Sequence, residues 1–196
     1  MTKLVLATRN KHKILELQTL LKSPNFEILT LNDFPNYPPL IEDGATFREN
    51  SLKKARAVHQ RTKLPALADD SGLEVFYLNK RPGVRSARYA GDRSNDEQNN
   101  EKLLEEMRGV APRRRHAQFV AVLALVGLGP DDFAEGICPG ALAESPRGTN
   151  GFGYDPIFIP AGFQKTYAEL TAGEKNKISH RAKAAQQMSE ILSKRP

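Results

Sequence analysis

The chain has 196 residues, which is enough for one domain or two closely joined lobes with a hydrophobic core. Hydrophobic residues make up 39% and charged residues 27%, as in a soluble globular protein. The net charge of +6 favours an anionic partner, such as a nucleotide or nucleic acid. The longest apolar run, Phe119 to Leu128, is too short to span a bilayer, and one cysteine, Cys138, excludes an intramolecular disulfide and a cysteine metal cluster.

The chain shows no signal-peptide pattern, because Met1-Thr2-Lys3 leads directly into a strand-like segment. Together with the single cysteine, this predicts a cytoplasmic protein with no membrane partner. The basic residues are spread along the chain, and the run at 113–115 reads best as a solvated loop. Few aromatic residues lie among them, so a stacking platform for single-stranded nucleic acid is poorly supported.

The first half of the chain predicts a βαβ unit and a second helix. Lys3–Ala7 and Phe26–Leu31 have the pattern of buried parallel strands, joined by a helix over 11–21 with Ile14, Leu17 and Leu21 on one face. A proline-containing loop over 32–44 follows. Thr46 then predicts a helix N-cap, with Glu49 completing a capping box, and the helix continues to about residue 61.

The second half predicts a longer antiparallel section. A buried strand over 64–69, a Ser71-Gly72 turn and an alternating strand over 73–78 are followed by a loop and by a helix over 95–107 that Ser94 caps. A hairpin over 116–127 and 133–144 precedes a glycine-rich loop (148–156) and a short strand (157–159). The last helix starts at Ser179. The element order predicts a mixed α/β fold.

Asp69 and Asp70 are the most informative pair of residues. They follow the apolar residues Leu64 to Ala68 and precede Ser71-Gly72, so they are expected at the exposed end of a buried strand. Open α/β sheets often place chemistry there, and adjacent like charges are tolerated when a cation or a shared proton lies between them. A turn in which aspartate only caps the backbone is the structural alternative.

The loop between the first strand and the first helix is a candidate anion site. Free backbone N–H groups and the positive end of the helix dipole favour an anion at such a junction. Thr8 and Asn10 are candidate donors, and Lys13 is a point charge for phosphate. A P-loop motif and a dinucleotide fingerprint are both absent from the sequence. A polar helix cap with a solvated basic turn is an equally good explanation.

Three other segments combine residues suited to a nucleotide site. Glu42 could join Asp70 in holding Mg²⁺, although compensation of a helix dipole also explains an acid there. The loop around Phe152 and Asp155 offers an aromatic face and a carboxylate for a base, or simply a glycine-rich turn with core aromatics. His180 and Arg181 follow Ser179 in a first helical turn, where positive charge opposes the dipole unless an anion or a base carbonyl is nearby.

Several segments together resemble one known family. The chain is similar to the Ham1-type nucleoside triphosphate pyrophosphatases, also called inosine triphosphate pyrophosphatases. The matching segments occur in family order and span nearly the whole chain: Leu6–Asn10 with Lys13, Gly44–Asn50, Ala68–Leu73, Pro82–Tyr89, Gly148–Phe158, and Glu174-Lys175 with Ile178–Arg181.

The resemblance implies hydrolysis of ITP, dITP and XTP to the monophosphate and pyrophosphate, with Mg²⁺ as cofactor. It also implies a two-lobed α/β fold of the Ham1/Maf-like type, in which helices flank an elongated mixed central sheet, and a homodimer whose substrate is a small nucleotide rather than nucleic acid. The whole chain, 1–196, is then a single pyrophosphatase domain with two lobes.

The resemblance also implies roles for individual residues. Asp70 matches the catalytic base and a metal carboxylate, and Glu42 is the candidate for the second metal carboxylate. The remaining matches are substrate contacts: Thr8, Arg9, Asn10, Lys11, His12, Lys13 and Lys54 for the triphosphate, Ser71, and Phe152, Gly153, Tyr154, Asp155, Lys175, His180 and Arg181 for the base and the rest of the substrate. Position 9 is Arg where many members have Gly.

Two other functions remain open from the sequence. A pyrophosphatase of related fold could act on other modified nucleotides, such as pyrimidine triphosphates. A basic nucleic-acid-binding module without catalysis would explain the net charge and would show salt-dependent binding. The carboxylate-rich loops would, however, repel the phosphate backbone of a bound nucleic acid unless a metal ion lies between them. A Ser-His-Asp hydrolase is disfavoured because the sequence has no G-x-S-x-G elbow.

Overall fold

The computed structural model describes residues 1–21 and 25–195 and shows a mixed α/β fold, as the sequence predicted. The described strands are β1 (Thr2–Leu6), β2 (Phe26–Thr30), β3 (Ala66–Val75), β4 (Arg81–Pro82), β5 (His116–Val126), β6 (Asp132–Leu142) and β7 (Phe158–Pro160). The described helices are α1 (Lys11–Leu20), α2 (Phe47–Thr62), α3 (Asp96–Glu106), α4 (Ala172–Ile178) and α5 (His180–Leu192). The strands pair in the order β2-β1-β3-β5-β6-β7, and β4 pairs with β3.

The predicted βαβ unit is confirmed. β1 and β2 are parallel, with Thr2 opposite Phe26 and Leu6 opposite Thr30, and β1 also pairs in parallel with β3. Asn10 caps α1 by accepting hydrogen bonds from the backbone N–H groups of His12 and Lys13. Ile14 and Leu17 of α1 are buried, and Leu17 lies in one apolar cluster with Leu4 and Leu6 of β1. This packing places the loop before α1 at the end of β1.

Helix α2 has its N-cap at the predicted residue, but the hydrogen bonds of the cap differ from those of a capping box. Thr46 accepts a hydrogen bond from the Glu49 backbone N–H at 3.1 Å, as in a capping box. The Glu49 carboxylate instead reaches one residue further back, to the backbone N–H of Ala45 at 2.7 Å. The helix runs one residue past the predicted end and stops at Lys63, which has a left-handed backbone conformation.

The predicted break between two strands at Ser71-Gly72 is wrong. β3 runs without interruption from Ala66 to Val75, so Asp69 and Asp70 lie within the strand and are 1% and 6% exposed. An exposed strand end was expected because two carboxylates are costly to bury. Nearby cations from other elements remove that cost, and the alternating pattern after Gly72 continues the same strand.

Two helix assignments also differ from the sequence prediction. Asn95, not Ser94, caps α3, and Gln98 completes the capping box. The Ser94 hydroxyl instead donates to Gly91 O and Asn99 Oδ1, because the preceding loop folds back on the helix. Helix α4 was not predicted; Thr171 and Glu174 form its capping box.

The described residues form two compact units, and the boundaries fall within three strands and after His180, the first residue of α5. The first unit comprises the described parts of Met1–Asp70, Ala121–Gly136 and Arg181–Pro196, and the second comprises Ser71–Val120 and Ile137–His180. The first has apolar clusters around Leu4, Leu17 and Met188 and around Val5 and Ala55. The core of the second includes Leu73 and Phe158. Over residues 1–21 and 25–195, no helix has the length and apolar character to cross a membrane.

Candidate functional site

In the first unit, strand β3 places Asp69 among cations from two helices. Its Oδ2 lies 3.0 Å from Lys13 Nζ of α1 and 3.1 Å from Arg181 Nε of α5. Burial alone would raise the pKa of the Asp69 carboxyl, but Lys13 and Arg181 outweigh it and hold that pKa well below its ordinary value. Asp69 is therefore a fixed anion that orients two cationic side chains.

The neighbouring Asp70 has a different environment. Its Oδ1 lies 2.9 Å from Lys54 Nζ, and its Oδ2 accepts a hydrogen bond of 3.2 Å from Asn50 Nδ2. Burial raises the pKa of Asp70 above its ordinary value, against the opposing effect of Lys54 and Lys13. A carboxylate with a raised pKa is a better proton acceptor, which suits the predicted role of Asp70 as a base.

Lys54 connects Asp70 with Glu42. Its buried ammonium donates to Glu42 Oε1 at 2.6 Å, to Asp70 Oδ1 at 2.9 Å and to the backbone oxygen of Asp69 at 2.8 Å. Burial would lower the pKa of Lys54, but Asp70 and Glu42 raise it above its ordinary value, so the ammonium stays charged. We call Lys13, Lys54, Asp69, Asp70 and Arg181 the carboxylate–cation cluster.

The donor set around Lys54 is compatible with a magnesium ion. Mg²⁺ commonly uses one or two carboxylates, with waters and substrate phosphate oxygens completing its shell. Glu42 and Asp70 form such a pair, since both carboxylates already converge on one cation, the Lys54 ammonium. In the described part of the chain no group of three or more His, Cys, Asp or Glu side chains could hold a metal. Glu42 and Asp70 are a pair of carboxylates that fits the donor set of such an ion.

The loop at 8–13 has a defined conformation. The backbone N–H of Asn10 donates to Thr8 Oγ1 at 3.1 Å, and the Arg9 guanidinium donates to the backbone oxygen of Tyr37 at 2.7 Å. Lys11 and His12 are exposed. The sequence interpretation left the first-turn N–H groups free for an anion. In the structure, the Asn10 side chain accepts hydrogen bonds from two of these groups, the backbone N–H groups of His12 and Lys13.

Lys13 and Arg181 are both held by carboxylates within the first unit. Burial lowers the pKa of Lys13, although Asp69 opposes the shift. Arg181 is 2% exposed and pairs with Glu16 as well as with Asp69. Burial would lower its pKa, but Asp69 and Glu16 raise it. These acids explain why an arginine is tolerated in the first turn of α5.

In the second unit, the loop with Phe152 and Asp155 is linked to α4. Asp155 is 2% exposed, and its Oδ2 accepts from the backbone N–H of Phe152 at 2.9 Å and from Lys175 Nζ at 2.6 Å. Lys175 Nζ also lies 5.0 Å from the centre of the Phe152 ring. Gly151 is required beside them, because its φ is 79° and an added Cβ would collide with the Asp155 carboxylate.

The remaining predicted residues of the second unit have specific packing partners. The His180 ring stacks on Phe119, with 4.6 Å between ring centres and 8° between planes. The Tyr154 hydroxyl donates to the backbone oxygen of Ser86 at 2.8 Å. Ser71 is half-buried in β3. The unit therefore brings Phe152, Asp155 and Lys175 together, whereas Tyr154 makes its described hydrogen bond elsewhere.

Comparison with known proteins identifies the family. The family model described as the Ham1 family matches residues 4–191, nearly the whole chain. The chain belongs to the Ham1 family. This confirms the resemblance drawn from the separate motifs.

Relatives cover nearly the full length of this Ham1 chain. A protein of Shouchella clausii named dITP/XTP pyrophosphatase is 46% identical over 98% of this chain and 97% of its own. A protein of that name from Geobacter sulfurreducens is 49% identical over 94% of this chain and 93% of its own. The solved structure of a HAM1 protein from Coxiella burnetii has a TM-score of 0.90 at 42% identity and covers 98% of this chain and 99% of its own.

The structure of the Ham1 chain adds residues that sequence reasoning did not select. Asn50 is fully buried and bridges Asp70 and the backbone N–H of Gly44. In the sequence, Asn50 could have been recognised as a polar residue on the inward face of the amphipathic helix α2. Glu16 lies one helical turn after Lys13, and nothing local to α1 distinguishes it from a solvated acid. Its contact with Arg181 depends on how α1 and α5 pack.

Proposed function

We propose that this Ham1 protein hydrolyses dITP, XTP and ITP to the nucleoside monophosphate and pyrophosphate. The names of the full-length relatives support the reaction and the substrate class. The observation that carries the assignment to residues is the buried Asp70, a carboxylate of raised pKa held against the Lys54 ammonium. Acid–base chemistry on a highly charged anion needs such a combination.

The cations of the first unit would bind the phosphates. Lys13 and Lys54 each have a fixed carboxylate partner, which places the ammonium groups before substrate arrives. A triphosphate brings several negative charges, and positioned cations stabilise the charge that develops as the bond to phosphorus breaks. The backbone of the 8–13 loop, ordered by Thr8 and Asn10, would complete this contact.

Asp70 would act on the attacking water. The carboxylate accepts a proton from the water, whose oxygen forms a bond to the α-phosphorus of the substrate. The bond between that phosphorus and the bridging oxygen to the β-phosphorus breaks, and pyrophosphate leaves with the electron pair. Positioning of the water and of the phosphates accounts for most of the acceleration in reactions of this class.

Mg²⁺ is part of the proposal. Asp70 and Glu42 would hold the ion, and when bound it would neutralise phosphate oxygens and polarise the reacting phosphorus. The other tasks fall to the chain itself. Lys54 keeps the two carboxylates close together, and Asn50 fixes the second oxygen of Asp70.

The second unit would recognise the base. Phe152 is half-buried, and its ring is the proposed stacking partner of the base. His180 is proposed to donate to the 6-oxo group of hypoxanthine or xanthine, where adenine carries an amino group that is itself a donor. Loss of a required buried hydrogen bond can discriminate by about 10⁴. A homodimer in the cytoplasm completes the proposal.

A substrate panel tests the function directly. Pyrophosphate release is measured with ITP, dITP, XTP, ATP, GTP and modified pyrimidine triphosphates, with and without Mg²⁺. We expect release with the first three, dependent on Mg²⁺. Preference for a pyrimidine triphosphate, or release of orthophosphate alone, would overturn the assignment.

A further inference from the structure

The first turns of helix α3 hold the loop that carries Phe152. The backbone N–H of Gly153 donates to Asp96 Oδ2 at 2.7 Å, and Gly153 O accepts from Asn100 Nδ2 at 2.9 Å. The two α3 residues are four apart and so lie on one helix face. Both hydrogen-bonding groups of the Gly153 backbone are therefore bound by one short segment of helix, more than 50 residues away in sequence.

Gly153 needs this support because of its conformation rather than its packing. Its φ is 61°, and an added Cβ would meet nothing within 4 Å. Glycine visits many backbone conformations at little cost, so the residue alone does not fix the direction of the chain on either side. The bonds from Asp96 and Asn100 select one conformation.

The ring of Phe152 depends on that conformation. Its own backbone N–H is bound by Asp155, and the following residue is bound at both ends by α3. Asp155 in turn is bound by Lys175. The aromatic ring thus extends from a short backbone segment in which three of the four hydrogen-bonding groups of Phe152 and Gly153 have side-chain partners. The fourth, Phe152 O, accepts from the backbone N–H of Asp155. A preordered aromatic face binds a base with less loss of conformational freedom.

We infer that Asp96 and Asn100 are positioning residues for base recognition, acting through Gly153 on the Phe152 ring. The inference rests on the proposed function, since it assigns the Phe152 loop to a purine base. Neither residue is required to touch substrate. Asn100 is 6% exposed and Asp96 lies at the exposed first turn of α3. The Gly153 backbone is therefore held by one buried and one exposed side chain.

The test compares ligands with and without a base. Asp96→Ala and Asn100→Ala are prepared with Asp96→Asn, which keeps an acceptor oxygen of the same shape. Glu97→Ala is the matched control, because it removes an exposed acid from the same first turn of α3. For each variant, kcat and KM for ITP, inhibition by IMP and inhibition by pyrophosphate are measured, with the melting temperature as the check on folding.

Each alanine variant loses one hydrogen bond to Gly153. IMP binding should weaken and KM for ITP should rise by about tenfold for Asn100→Ala, whose bond is partly buried, and by less for Asp96→Ala, whose bond is exposed. Pyrophosphate inhibition and kcat should stay near wild type, since pyrophosphate has no base. Asp96→Asn should recover most of the lost affinity, and Glu97→Ala should resemble wild type.

Two other results would contradict two different claims, the positioning role of α3 and the proposed function. If the wild type releases pyrophosphate from ITP but Asp96→Ala and Asn100→Ala match Glu97→Ala, or lose IMP and pyrophosphate affinity equally, the positioning role is wrong. If the wild type releases no pyrophosphate from any purine triphosphate, the proposed function itself fails. Binding of IMP to the variants, measured by calorimetry, then still reports whether α3 orders a base-binding loop.

Discussion

Lys54 and Asp70 form a buried ion pair, with 2.9 Å between Nζ and Oδ1. The lysine comes from helix α2 and the aspartate from the middle of strand β3. Burial raises the pKa of Asp70, whereas Asp70 and Glu42 together outweigh burial and keep Lys54 charged. Opposite charges are thus held where neither is well hydrated, and the removal of either one leaves the other unbalanced.

Lys54→Met should lower the free energy of unfolding by about 3 kcal/mol or more, because it leaves the Asp70 carboxylate buried without its main cation. Lys53→Met is the matched control, since the neighbouring lysine pairs with Asp43 on the surface. That pair should contribute less than about 1 kcal/mol. Urea unfolding measures both. Equal losses for the two variants would show that the buried pair has no special importance.

Asp70→Asn should keep the fold and reduce pyrophosphate release from ITP by a factor of about 10² to 10⁴, the contribution of a general base. The amide keeps the shape of the carboxylate but cannot accept the proton. Lys54 retains Glu42 as a partner. Asp43→Asn serves as the control from the exposed loop before α2. Normal turnover by Asp70→Asn would show that another group activates the water.

Glu42→Gln should raise the Mg²⁺ concentration needed for half-maximal activity by about tenfold or more. A neutral amide is a weaker ligand for a hard cation than a carboxylate. The measurement is a Mg²⁺ titration at saturating ITP. A titration curve identical to that of the wild type would remove Glu42 from the metal site and leave Asp70 as its one proposed carboxylate.

Asp69→Asn should change the acid stability of the protein. In the folded state Lys13 and Arg181 hold the Asp69 pKa below its ordinary value of 3.8, despite burial. The stabilisation from this depressed pKa is fully present above the unfolded pKa and is lost as pH falls through the folded pKa. Below pH 4 the wild type should therefore lose about 1.4 kcal/mol per pH unit more than the variant. Parallel curves from urea unfolding at pH 5 to 3 would contradict this account.

Local sequence patterns correctly predicted those strands and helices whose formation depends on residues close together in the chain. The parallel strands around α1 follow from apolar runs and helical spacing, and the start of α2 follows from Thr46 and Glu49. The predicted family is confirmed by the match over residues 4–191. The roles of individual site residues stay predictions, since they depend on substrate.

The sequence by itself determined the α/β class and the family, because helical spacing, caps and the order of motifs can be recognised along the chain. Only the tertiary structure decided the state of the two aspartates. The sequence indicated a charged strand end, yet β3 continues through Asp69 and Asp70 because α1, α2 and α5 bring Lys13, Lys54 and Arg181 to them. The same packing separates their pKa values, since Asp69 faces two cations while burial dominates at Asp70. Such contacts join residues up to 112 positions apart, beyond the reach of any local pattern.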